Sequence, residues 1–422
     1  MTESAAFTFV HCADLHLDSP FEGLHALEPR LAALLREATF RAFQNVIDLA
    51  IRERADFLII AGDVYDGADR SLRAQLKFRD GLKKAGEAGV RCLVAHGNHD
   101  PLSGWEAQLE IPAGVHRFGG EAVEQVVVQR HGKPLAQVYG ISYLKREVRE
   151  NLVPGYPRRS GGPFAIGVLH GNVGGNPNHD NYAPCKVEDL TAAKMDYWAL
   201  GHVHAPQILK DRHPCIIYPG NTQGRSVREL GPRGCFLVRV DSSGNLSPEF
   251  VSTDVVRWFH QAVDLAEMLT LDDLLNRLEA TKEEVRGAAA DRGAILRLEL
   301  VGRGELHGQL RRLDLDRDLA GPLQEGELER TDFVWVESVQ NRTRGPLDLA
   351  QRRREPDFLG DFLSAAEALR TGDNPEAALR RVLAGRPEHR VIATSLEQLT
   401  AADLLAMLSD AQTLGADLLL ED

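Results

Sequence analysis

The chain has 422 residues, too many for one hydrophobic core, so two or three domains are expected. Hydrophobic residues make up 43% and charged residues 26%, a balance that excludes a disordered or fibrous chain. The net charge of −13 is uneven: residues 1–260 hold 29 Lys+Arg against 30 Asp+Glu, while 261–422 hold 20 against 32, so the basic footprint of a sequence-reading DNA binder is excluded.

Taken in chain order, "FTFVHCAD" (7–14) reads as a strand, and 30–55 carries Leu31, Leu34, Leu35, Phe43, Val46, Ile47 and Ala50 at helical spacing. "DFLIIAGD" (56–63) is a continuous apolar strand, 70–89 is an amphipathic helix ending at Gly89, and "VRCLVA" opens a third strand. This order predicts buried, largely parallel strands in an α/β layer. Shorter apolar runs at 124–129, 135–143, 164–171, 196–204, 215–221 and 234–241 have few long helices between them and predict a second sheet packed on the first. Beyond residue 255 the pattern predicts a helix near 269–287, a strand near 294–306, a helix over 306–319 and a strand near 332–343. Residues 344–357 read as a linker, and 358–422 as a helical, leucine-rich region with a candidate docking face at Leu396, Leu399, Leu404 and Leu408. The domains expected are therefore 1–255, 256–343 and 344–422.

No run reaches the roughly 18 apolar residues of a membrane span. The N-terminus lacks the basic and apolar regions of a secretory signal. The five cysteines form no Cys-x-x-Cys pair, which favours a reducing, cytoplasmic setting.

Chemistry-bearing side chains gather where the strands of the first domain end. These ends read Asp14-Leu15-His16, Gly62-Asp63, Gly97-Asn98-His99-Asp100, His170-Gly171 and Gly201-His202-Val203-His204. In α/β sheets ligands bind beyond the carboxyl ends of strands, so five strands should deliver carboxylates, imidazoles and an amide to one rim. In extended backbone, the i, i+2 pairs Asp14/His16 and His202/His204 would each point to one side. Each motif alone has an ordinary reading as a turn; their joint occurrence does not. The ligand set lacks thiolate and suits manganese, iron or zinc, and seven candidate ligands suit two ions better than one.

The ordered set "DLH", "GD", "GNHD", "HG", "GHVH" resembles the calcineurin-like metallophosphoesterases. "HCADLHLDSPF", "GDVYDGADRSLRAQ" and "YPGNTQGR" look like bacterial DNA-repair exonucleases of the SbcD and YhaO type. The resemblance implies a four-layer α/β/β/α sandwich followed by a small α/β domain and helical C-terminal region. It implies that Asp14, His16, Asp63 and His204 hold one metal ion, and that Asp63, Asn98, His170 and His202 hold a second, with Asp63 bridging. His99 would be the general acid and Asp100 would hydrogen-bond its ring. Two divalent ions are implied, manganese first, with iron or zinc as alternatives. The implied reaction is phosphodiester hydrolysis by metal-activated water, on DNA ends in repair. A coiled-coil ATPase of the SbcC/YhaN kind and a second copy of the chain are the implied partners. Asp66 departs from the pattern, since many SbcD-type relatives have histidine there, and Ser226 stands where histidine is expected. Arg70, Arg158 and Arg225 are the leading candidates for DNA-phosphate contact. A small nucleotide or other phosphoester is the alternative substrate, favoured by the near-neutral charge of residues 1–260.

Overall fold

The computed structural model describes residues 5–19, 29–67, 71–104, 107, 109–158, 162–175, 180–372, 377, 380–381 and 400–420. The chain divides into two compact units, one of residues 1–261, 279–298 and 316–339, the other of 262–278, 299–315 and 340–422.

In the first unit, β1 (Phe7–Cys12), β2 (Phe57–Ala61), β3 (Arg91–Ala95) and β4 (Val115–Arg117) run parallel. The helices α1 (Pro29–Arg52) and α2 (Leu72–Glu87) make the crossovers. A second sheet has the order β5-β6-β7-β8-β10-β9, formed by Glu124–Arg130, Lys133–Gly140, Phe164–His170, Tyr197–Gly201, Cys215–Tyr218 and Gln207–Lys210. Its inner strands β6, β7, β8 and β10 are parallel and its edges antiparallel. β2, β7 and β8 are buried at every position, as expected of strands covered on both faces.

Phe9, Phe57, Ile59 and Leu93 of the first sheet meet Ile166, Val168, Tyr197 and Ile217 of the second in one core. Phe43, Val46, Ile47, Phe78 and Leu82 of the two helices cover the outer face of the first sheet. The outer face of the second carries Trp198 beneath Tyr156 and the short helix α3 (Val187–Ala192). The sandwich is therefore the expected α/β/β/α, with a thin fourth layer.

Several elements depart from expectation. Residues 234–241 do not join the second sheet: β11 (Gly234–Val240) pairs antiparallel with β1, and β12 (Leu246–Ser252) extends the first sheet. The strand β13, over Val256–Asp264, is absent from the sequence expectation; it is half exposed, so its apolar pattern is weak. It forms a three-stranded sheet with β14 (Gly293–Val301) and β15 (Val334–Asn341), while α4 spans Leu271–Ala289. The helix expected over 306–319 is broken: four helical residues, His307–Leu310, precede a π-helical turn at Asp316–Ala320. In the second unit the helices Phe358–Thr371 and Ala401–Leu420 pack through Leu359, Leu363 and Ala416. Leu396 and Leu399 of the candidate docking face lie outside the described residues.

Candidate metal centre

The rim forms just past the strand ends, not within extended backbone. Asp14, His16, Asp63 and His202 all have positive φ, at 51°, 43°, 49° and 103°. Non-glycine residues seldom occupy this region, and such conformations cluster where a site requires them. Backbone bonds from Asp14 N to Gly62 O (3.0 Å) and His16 N to Asp63 O (3.1 Å) lock the two turns together. Crowding explains the glycines: a Cβ at Gly97 would collide with Asp63 Oδ1 and the His170 ring, and one at Gly201 with the carbonyl of Ala61.

Three groups of donors result among the described residues, and one of them, His16, Asp66 and His99, overlaps another at His16. Asp14, His16 and His204 form the first, and Asp63, His170 and His202 the second, each with its ligand atoms within 4.8 Å of one another. The i, i+2 reading therefore holds only in part. Asp14 and His16 share a group through left-handed backbone, whereas His202 and His204 separate into different groups. Asn98 joins the second, its Oδ1 2.9 Å from His170 Nε2 and 3.2 Å from His202 Nδ1. Asp63 Oδ2 lies 3.3 Å from His170 Nε2 and 3.9 Å from His16 Nε2, between the two groups.

Each of these four histidines turns one nitrogen to the cluster and gives the other to an outer acceptor. His16 Nδ1 meets Asp66 Oδ1 (3.2 Å), His204 Nδ1 meets Glu229 Oε1 (2.6 Å), His170 Nδ1 meets Ala61 O (3.0 Å), and His202 Nε2 meets Asp180 O (2.8 Å). Outer acceptors of this kind fix the tautomer and aim of a metal-binding histidine. With their Nδ1 protons given to carboxylates, His16 and His204 face each other through Nε2 at 3.1 Å, two lone pairs that a cation between them would reconcile.

Charge points the same way. Burial pushes Asp14 up to about 6 and His16 down to about 3, keeping that imidazole neutral. Burial would also pull His170 down, yet Asp63 and Asp14 push it up to about 9. The buried acids demand positive charge here, which a proton supplies in the chain alone and a metal ion would supply instead. Carboxylate, imidazole and amide donors without sulfur fit a divalent ion of borderline hardness.

His99 stands beside this cluster, partly exposed, its ring 4.9 Å from that of His16. Asp100 does not hold it, contrary to expectation. Asp100 is fully buried and accepts from Val64 N (2.9 Å), Gly97 N (2.8 Å) and His96 Nδ1 (2.8 Å), fastening the turn itself. The carboxylate facing His99 Nδ1, at 3.1 Å, is Asp66. Burial lowers the His99 pKa, but the Asp66 bond and the Asp63 charge outweigh it and hold the ring above its usual value.

Residues 7–206 match the calcineurin-like phosphoesterase family, and residues 258–344 match the middle domain of metallophosphoesterase YhaO. The chain is 36% identical over 406 residues, 96% of each chain, to a protein of Bacillus subtilis (strain 168) described as "Uncharacterized metallophosphoesterase YhaO". This chain belongs to the YhaO family of calcineurin-like metallophosphoesterases. Its homologues include a "DNA double-strand break repair protein Mre11" of Aeropyrum pernix, 29% identical over 67% of this chain and 70% of that protein. They also include a component of the nuclease SbcCD of Bacillus subtilis (strain 168), 23% identical over 58% of this chain and 63% of that one.

In this YhaO-family chain all seven candidate ligands and His99 come together. Of the two candidate phosphate-contacting arginines among the described residues, Arg225 does so. Its Nη1 donates to Ser19 Oγ (2.7 Å) and lies 3.4 Å from Asp66 Oδ2, while its backbone N donates to Glu229 Oε2 (2.6 Å). Arg158 is exposed, and Arg70 lies outside the described residues. Sequence reasoning missed Glu229, which sits within "QGRSVRELG" with no motif to mark it, and saw Asp66 only as a departure. His11, buried between Tyr197 Oη (2.9 Å) and Leu200 O (3.1 Å), is a satisfied core histidine driven down to about 3 by burial.

Proposed function

We propose that this chain is a two-metal phosphodiesterase that degrades DNA from its ends in repair, in the cytoplasm, with a coiled-coil ATPase as partner. The observation that carries the reading is the pair of adjacent donor groups, Asp63 of one lying 3.9 Å from His16 of the other, with His99 beside them on Asp66. Asp14, His16, Asp63 and His204 would hold one ion, and Asp63, Asn98, His170 and His202 the other, with manganese the first candidate. When bound, the ions would neutralise the phosphodiester and activate water for attack. Asn98 contributes a neutral oxygen, so the ligand shell carries fewer negative charges than an all-carboxylate set. His99 keeps its Nδ1 proton on Asp66, and as an imidazolium its Nε2–H would give up the proton that the leaving sugar oxygen takes as the P–O bond breaks, leaving the ring neutral. Proton transfer of this kind contributes about 10²–10⁴-fold. Arg225 holds Asp66 and Glu229 in place. The relatives described as Mre11 and as part of the nuclease SbcCD support DNA as substrate; the five free, buried cysteines suit a reducing compartment.

Manganese-dependent digestion of end-labelled duplex DNA, run beside a generic aryl phosphodiester, tests the substrate. The reading expects both activities. Hydrolysis of the aryl ester with none of DNA, even with the ATPase present, would instead favour a small phosphoester.

A further inference from the structure

His204 has little support from the sheet that delivers it. It lies past the end of β8, in the connection to β9, and its side chain is 21% exposed, whereas Asp14 and His16 of the same donor group are buried. Glu229 holds the ring at Nδ1 (2.6 Å). A ring is only as fixed as the backbone that carries it.

That backbone is held by a buried charge. Arg233, 6% exposed, donates from Nη1 to the carbonyl of His204, and Asn221 N donates to the same oxygen (3.1 Å). Nη1 also reaches Asn221 Oδ1 (3.4 Å), and Nη2 donates to Leu230 O (2.9 Å). The root of the side chain is fixed in turn, since the Arg233 carbonyl accepts from Thr253 N (2.9 Å) and Asp254 N (3.2 Å). Gly220, at φ 75°, closes the clamp: a Cβ there would lie 2.5 Å from the His204 carbonyl oxygen.

A guanidinium is a costly way to fill a core. Burial lowers the pKa of Arg233, and Glu229 and Asp254 recover only part of it. Its Nε meets no acceptor among the described residues. Such groups are expensive to bury, and an apolar side chain would fill the space without that cost. What the guanidinium adds is a planar fork of donors, one of them fixed on the backbone of a ligand.

We propose that Arg233 is a positioning residue for the metal ligand His204. The proposal rests on the two-metal reading above. Arg233 fixes the backbone of His204 while Glu229 fixes its ring, and together they aim Nε2 at the ion held with Asp14, His16 and Asp63. Arg233 acts through His204 and touches neither metal nor substrate. Without it the carbonyl keeps Asn221 N, the ring can pivot, and that ion is held less tightly. The ion at Asn98, His170 and His202 keeps its ligands.

Manganese titration of the full chain against a chromophoric chelator tests this. The unaltered chain is expected to bind two ions. Arg233→Met, which keeps the length and loses the donors, should weaken one of them about 10–100-fold and leave the other unchanged. Arg233→Lys, able to keep a donor at the carbonyl, should lose less at the same ion. Because Arg233 and Glu229 act on one ligand, combining Arg233→Met with Glu229→Gln should cost less than the product of the single losses. A role confined to packing would lower the melting temperature without that coupling. If Arg233→Met does not fold, Arg233→Lys with and without Glu229→Gln carries the same comparison. Unchanged affinity for both ions, equal loss at both, or losses that simply multiply would overturn the proposal. An unaltered chain that binds fewer than two ions would instead overturn the two-metal reading beneath it.

Discussion

Asp66 and Asp100 lie one strand end apart, and their contacts give them opposite roles. Asp66 touches His99 and His16 and is tied to Ser19 Oγ (2.7 Å), so it positions a proton donor and a ligand together. Asp66→Asn should therefore lower activity toward the His99→Ala level, about 10²–10⁴-fold, with the melting temperature nearly unchanged. Asp100→Ala should do the reverse. It strands donors on Val64, Gly97 and His96, at roughly 1–3 kcal/mol for each buried donor, so stability falls first. Chemical denaturation beside steady-state kinetics checks both; a stable but inactive Asp100→Ala would contradict the assignment. Glu229 meets His204 Nδ1 at 2.6 Å and would act on a bound metal ion through that ring. Glu229→Gln should weaken affinity at that position about 10–100-fold, read by competition with a chromophoric chelator, and unaltered affinity would remove it from the site.

At the scale of elements, the rim depends on parallel strands ending together, and that part was legible in the sequence. Continuous apolar runs marked β1, β2, β3, β7 and β8, and the polar residues after each run marked the rim. The backbone there was not legible. An i, i+2 spacing suggests extended chain, but Asp14, His16 and His202 have positive φ, locked for the first two by bonds to the turn after β2, which the spacing does not encode. Nor was the placement of β11 legible, because strand order depends on long-range pairing that an apolar run does not encode. Away from the rim, buried Glu327 joins α4 to the turn before β15, accepting from Arg286 Nη2 (2.7 Å) and Val334 N (2.7 Å) and lying 3.1 Å from Lys282 Nζ. Burial raises its pKa, but these partners hold it below the usual 4.5. A depressed carboxylate contributes stability that is present above the unfolded pKa and is lost as pH falls through the folded one. Glu327→Gln should cost about 3–5 kcal/mol at pH 7, the range for breaking a buried pair, and the difference should shrink below pH 4.5. Urea unfolding at pH 7 and pH 3.5 measures it; a difference that is constant with pH would contradict the pairing.

For the molecule as a whole, the sandwich exists to bring two sheets' strand ends to one place, and the family assignment agrees with that division of labour. The seven candidate ligands were legible because each follows a strand and belongs to a short motif. Glu229, Asp180 and Ala61 were not, because two of the three act through backbone carbonyls and the third has no recurring neighbour. The central claim is that two ions share Asp63 and that His99 is not a ligand. Metal content per chain after loading with manganese tests it most directly, in the unaltered protein and in His99→Ala and Asp63→Ala. The account predicts two ions in the first, two in the second with activity lost, and neither site retained in the third. A His99→Ala chain that binds no metal, or an Asp63→Ala chain that still binds two, would contradict it.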